Sequence, residues 1–142
     1  MSRESRLTAG ILLILLPAVV FGGTSILTML IGDPAYAENA LRQDLWRAGH
    51  AHAGVLLVLS LVTLRYVDES SLSGIMKRVA RHSIPAAAIL LPAAFFLSVL
   101  SPDATEPNPL IYLAYVGAVS LGAGLLMLGI GLIRKDPASR EG

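Results

Sequence analysis

Four apolar blocks constrain this chain more than any other feature. Residues 7–32, 46–66, 83–101 and 109–133 are long and almost free of charge. A bilayer core of about 30 Å requires about 20 predominantly apolar residues as helix, and each block meets that length. Charged residues make up only 15% of the chain, against about a quarter in an ordinary soluble domain. The expected fold is all-α: a polytopic membrane four-helix bundle forming one transmembrane domain over residues 1–142, with no room for a separate soluble domain.

The loops set the expected orientation. Arg3 and Arg6 precede the first block, Arg65, Lys77, Arg78 and Arg81 lie between the second and third, and Arg134, Lys135 and Arg140 follow the fourth. Only Arg42 and Arg47 occupy the opposite side. The positive-inside rule then places both termini in the cytoplasm, with the chain in the plasma (inner) membrane. Basic residues so distributed meet anionic lipid headgroups, so the lipid bilayer is the expected partner and nucleic acid is not. The N-terminus imitates a secretory signal, because "AYA" (Ala35–Ala37) follows its apolar run. That run is too long for a signal core of about 7–15 residues, and a first span is the better reading.

Blocks one and three share a pattern. "LLPAVVF" (Leu15–Phe21) and "LLPAAFF" (Leu90–Phe96) agree at five of seven positions, proline in register. Each is followed by an outer loop and a block ending in arginine, which suggests a duplicated two-helix hairpin or a coincidence of Leu-rich composition. Pro17 and Pro92 each remove a backbone donor and are expected to kink their helices. Thr24, Ser25 and Thr28 offer hydroxyls that can bond across helices. Block four carries small residues at helical spacing: Ala114, Ala118 and Gly122 on one line, Ser120 and Gly124 on another. Such ridges let backbones approach closely in lipid. One face can pack within the chain and the other against a second copy or a membrane-protein partner. The connection "SSLSGIMKRVARHS" reads as a short amphipathic turn on the inner leaflet, with His82 solvated at its end.

The polar feature that stands out is "WRAGHAHAG", residues 46–54. The preceding segment reads as helix, with Glu38 and Arg42 at i, i+4 and Trp46 suited to the interfacial aromatic belt. His50 then lies about 6 Å deeper than Trp46. His50 and His52 are about 200° apart on a regular helix and cannot chelate one ion together. Either the two imidazoles face different surroundings, or Gly49 breaks the helix. Three roles fit the pair: a hydrogen bond between helices, a ligand to haem iron or a divalent metal, and proton handling. Arg47, one turn before His50, disfavours imidazole protonation and suits a ligand. Tyr112 and Tyr115 lie at similar depth and either hydroxyl can meet a histidine. The chain has no cysteine, so thiolate metal sites and cysteine nucleophiles are excluded. A bis-histidine haem within one chain fails on geometry, whereas a haem bridging two copies does not.

The run "RAGHAHAGVLLVLSLV", after a proline-containing first block, resembles small bacterial four-helix integral membrane proteins with an HxH motif at the start of the second span. The resemblance covers most of the chain and implies the fold but no activity. The HxH pair is also similar to the histidine-bearing helices of haem-copper oxidase relatives, over two residues only, and implies nothing further.

No phosphate loop, nucleophile elbow or intramembrane carboxylate pair is present, since every Asp and Glu lies outside the four blocks. An enzyme is therefore not the expectation. Two readings remain. One is a protein that binds a ligand or cofactor (haem, metal or a small apolar molecule) in an outward-facing pocket around His50, His52, Tyr112, Tyr115 and Arg47. The other is a non-catalytic accessory subunit that packs against a partner, or in a homo-oligomer, through the small-residue face of block four.

Overall fold

The computed structural model describes residues 1–134; Lys135 and Arg140 lie outside the described residues. The chain is all-α, and among the described residues there is no strand. Its helices are α1 (Arg3–Gly32), a single turn α2 (Pro34–Ala37), α3 (Ala40–Glu69), α4 (Gly74–Ser98) and α5 (Leu113–Ile133), the last entered through a 3-10 turn at Pro109–Tyr112. Four of these are long and apolar enough to cross a membrane. Each sharp start has a capping side chain: Ser2 accepts from Ser5 N–H, Asp33 from Ala35 and Tyr36, Asn39 from Arg42, Ser73 from Met76. A cap of this kind is worth about 1 kcal/mol and makes short connections affordable.

The third apolar helix differs from the expected 83–101. It starts at Gly74 and ends at Ser98. The segment expected to lie as a separate turn on a membrane surface is instead the first two turns of α4. Ser73 supplies the cap, and the helix buries Ala80, Arg81 and Ile84 on one side while Ile75, Met76 and Val79 remain exposed. α1 continues as a single helix through Pro17, and α4 through Pro85 and Pro92. Thr24, Ser25 and Thr28 do not reach across helices. They bond the Phe21 and Thr24 carbonyls of their own helix.

The long helices pack in chain order, α1 on α3, α3 on α4 and α4 on α5. The first link is the loosest: 6% of the apolar window of α1 is buried, against 44% in α4. The core joins Leu12 of α1 to Leu56, Leu57 and Leu64 of α3 and Ala87, Ala88 and Leu91 of α4. The tightest link is α4 with α5. Gly117, Gly124 and Gly131 recur every seven residues and present one face. A Cβ at Gly117 would lie 2.9 Å from Leu91, one at Gly124 2.9 Å from Ser83, and one at Gly131 would collide with Leu72. Ser120, on the same face, donates to the Ser83 carbonyl at 2.9 Å. The Ser120–Gly124 pair therefore packs within the chain. The Ala114–Ala118–Gly122 line is split: Ala114 packs against the core, Ala118 is exposed, and nothing lies within 4 Å of a Cβ at Gly122.

At the end that holds the N-terminus, α1, α3 and α4 are fastened by one buried side chain. Arg81 donates through Nη1 to Glu4, through Nη2 to Asp68 at 3.0 Å, and through Nε to the Ser5 hydroxyl at 3.0 Å. Asp68 also accepts from Ser2 N–H at 2.7 Å and the Ser5 hydroxyl at 3.2 Å. Arg81, expected as a loop cation, is thus a buried cross-link.

Candidate functional site

Helix α3 runs without a break through Gly49, which settles how the two histidines are displayed. Gly49 is a packing position: a Cβ there would lie 3.0 Å from the Phe96 ring of α4. One residue further round the helix, His50 turns toward α1. It lies against Gly22 and Gly23, where a Cβ would be 3.8 Å from Nδ1 and 2.9 Å from Nε2 respectively. The close approach falls on Gly23, where a side chain would press on the imidazole, whereas a Cβ at Gly22 would make ordinary contact. His52 faces the other way and is exposed. Its Nδ1 is 2.7 Å from the Ala48 carbonyl, and its ring lies 5.1 Å from that of Phe95. A carbonyl only accepts, so in the neutral ring Nδ1 carries the proton and Nε2 keeps its lone pair.

Beside His50 is a cleft of about 260 Å³ walled by three helices. Leu15, Val19 and Gly22 come from α1, Ala53 and Leu57 from α3, and Ile89 and Phe96 from α4. His50 is the one polar side chain in this wall. Among the described residues neither of its ring nitrogens has a hydrogen-bond partner. An apolar cavity with one unsatisfied donor–acceptor group is the ordinary construction of a small-ligand site.

An aromatic stack adjoins the cleft on the side away from Arg81. Phe96 meets Trp46 edge-on at 5.8 Å, and Trp46 meets Tyr36 at 5.6 Å. Arg42, 5% exposed, lies 4.8 Å from the Trp46 ring and 5.7 Å from the Tyr36 ring, and donates through Nε to the Val99 carbonyl at 3.2 Å. The expected Glu38–Arg42 pairing along one helix does not form, because α3 begins only at Ala40 and Glu38 closes α2. Burial pushes the Tyr36 phenol above its ordinary pKa, while the charges of Arg47 and Arg42 pull it part of the way back. The Tyr36 hydroxyl and the Trp46 ring N–H are both buried without a partner among the described residues.

The remaining expected site residues lie apart. Arg47 is exposed and held by Gln43 and Asp44, with its Nη2 3.1 Å from Gln43 Oε1 and 3.4 Å from Asp44. Tyr112 and Tyr115 stack on each other at 6.2 Å, are 65% and 70% exposed, and are absent from the cleft wall. They are not neighbours of His50, because α5 packs on α4 whereas the cleft opens toward α1. Among the described residues no three His, Asp or Glu side chains gather around one point. The residues missed from sequence are Gly22, Gly23 and Phe96. The glycine pair was a visible signal, an interruption in a bulky apolar run, but only the pairing of α1 with α3 gives it meaning.

No protein-family model, curated protein or solved structure matches this chain.

Proposed function

We propose that the protein is a multi-pass plasma-membrane protein, both termini cytoplasmic, that binds a small apolar molecule in the cleft between α1, α3 and α4. His50 forms the single hydrogen bond to a carbonyl or hydroxyl of that molecule. The observation that carries this reading is an imidazole with no hydrogen-bond partner among the described residues, at the wall of an otherwise apolar cleft. In a low-dielectric site an unmade hydrogen bond is costly, and a ligand that supplies it gains both affinity and orientation. The cleft volume of about 260 Å³ sits just below the usual range for drug-sized ligands, about 300–1,000 Å³, and suits a compact ring or a short chain rather than a macrocycle such as haem. Membrane residence is supported by four helices of spanning length and by the placement of the basic residues.

The chain's only tryptophan reports on this site, since Trp46 touches Phe96 and Phe96 lines the cleft. Menadione, a compact apolar quinone, is a suitable probe. Titrated into the detergent-purified protein, it should quench Trp46 saturably, and His52→Ala should behave as the wild type. His50→Ala should leave only the linear quenching of free partition. Identical saturation in His50→Ala and wild type would refute the reading.

A second reading, an accessory subunit or homo-oligomer, is favoured by one observation. The stripe of Ala118, Gly122 and Gly129 on α5 is left open: nothing lies within 4 Å of a Cβ at either glycine, while Gly117, Gly124 and Gly131 are filled. Such a stripe suits close approach by another helix.

A further inference from the structure

A second cavity lies at the Arg81 end of the molecule, on the outer side of α4. It has a volume of about 410 Å³ and is lined by Arg78, Val79, His82, Ser83 and Ala86 of α4 and by Ser120 of α5. Arg78 and His82 are one turn apart and both exposed. Three neighbouring cations are engaged: Arg81 with Glu4 and Asp68, Arg65 with Glu69 at 3.2 Å, and Lys77 with the Asp68 carbonyl at 3.1 Å. Arg78, unlike these three, has no acceptor among the described residues, and no carboxylate lines the groove.

The rest of the groove offers no further donor. The Ser83 hydroxyl already donates to the Val79 carbonyl at 2.7 Å, and that of Ser120 to the Ser83 carbonyl. Val79 and Ala86 complete an apolar floor. From Arg78 to Ala86 the helix rises about 12 Å, the distance from a headgroup to the upper acyl chain of a lipid. A soluble anion would leave that floor empty, and a zwitterionic lipid would bring a second cation to the side of Arg78. Only an amphipathic anion answers both halves of the groove.

We infer that this groove holds one anionic phospholipid, its phosphate between Arg78 and His82 and an acyl chain along Val79 and Ala86. The inference rests on residence in a bilayer and is independent of the His50 cleft. Arg78 supplies a planar charged fork that matches phosphate oxygens, and the ring N–H of His82 supplies a third donor.

The test is native mass spectrometry of the delipidated full chain with added phosphatidylglycerol or phosphatidylcholine. Wild type should hold a first phosphatidylglycerol about tenfold more tightly than phosphatidylcholine, whose choline cation offsets the phosphate charge and repels Arg78. The double variant Arg78→Gln, His82→Gln should lose that preference. Both side chains are exposed, so the fold should persist, which circular dichroism of the same sample checks. Arg6→Gln removes a charge at the same end outside the groove and should keep the preference. Retention of the preference in the double variant, or its equal loss in Arg6→Gln, would overturn the inference. Displacement of phosphatidylglycerol by millimolar inorganic phosphate would also overturn it, because the groove would then be a free-anion site.

Discussion

Arg81 and Arg42 sit at opposite ends of the molecule, and each is 5% exposed. Arg81 is neutralised by two carboxylates and reaches two serine hydroxyls. Arg42 has no carboxylate among the described residues; it is boxed by the Tyr36 and Trp46 rings and one carbonyl. The difference shows how α1 is held. At the Arg81 end, ion pairs fasten α1 directly to α3 and α4. At the Arg42 end the polar and aromatic contacts join α2, α3 and α4, and α1 is held beside them by the packing of Gly22 and Gly23 on His50 and by its contact with α2. The cleft lies between α1 and α4, away from the fastened end. α1 is thus anchored by ion pairs at one end and by packing alone at the other.

The comparison can be broken most severely at Arg81. Arg81→Met leaves Asp68 and Glu4 without their cation, and removing one partner of a buried pair costs about 3–5 kcal/mol. The exposure of Glu4 (61% for its side chain) puts the expected loss at the lower end, about 3 kcal/mol. It would be read as a fall in midpoint in a detergent-exchange unfolding series. Little change there would show that the ion pairs do not fasten α1. A smaller effect is expected at the other end. Arg42→Lys keeps the charge but loses the planar stacking on two rings, for a cost of about 1 kcal/mol by the same assay. A loss as large as that of Arg81→Met would erase the contrast between the ends. The smallest effect is expected at Tyr36→Phe. Its hydroxyl is buried without a partner, so deleting it should leave stability unchanged or raise it by up to about 1 kcal/mol. A clear loss would mean that the hydroxyl has a partner.

What was legible in the sequence depended on the range of the interactions. The apolar blocks became helices because length and composition act locally. The display of His50 and His52 on different faces also followed from helical geometry once α3 proved continuous. Small residues on α5 announced close packing, although the seven-residue recurrence of Gly117, Gly124 and Gly131 chose which line faces inward. Arg81 was not legible, because Glu4 lies 77 residues away and nothing local distinguishes it from Lys77 or Arg78. Arg42 was misjudged for a related reason: an i, i+4 spacing counts only if both residues are in the same helix, and Asn39 starts α3 after Glu38. The tyrosine pair failed because depth fixes one coordinate of three.

The measurement that tests the central claim most directly is the nitrogen-15 spectrum of the histidine rings, with and without menadione. The chain has three histidines, and each variant removes one set of signals. The account predicts that the ring nitrogens of His50 shift on saturation, as an imidazole without a partner acquires a hydrogen bond, while those of His52 and His82 stay in place. A shift at His52 with none at His50 would contradict it.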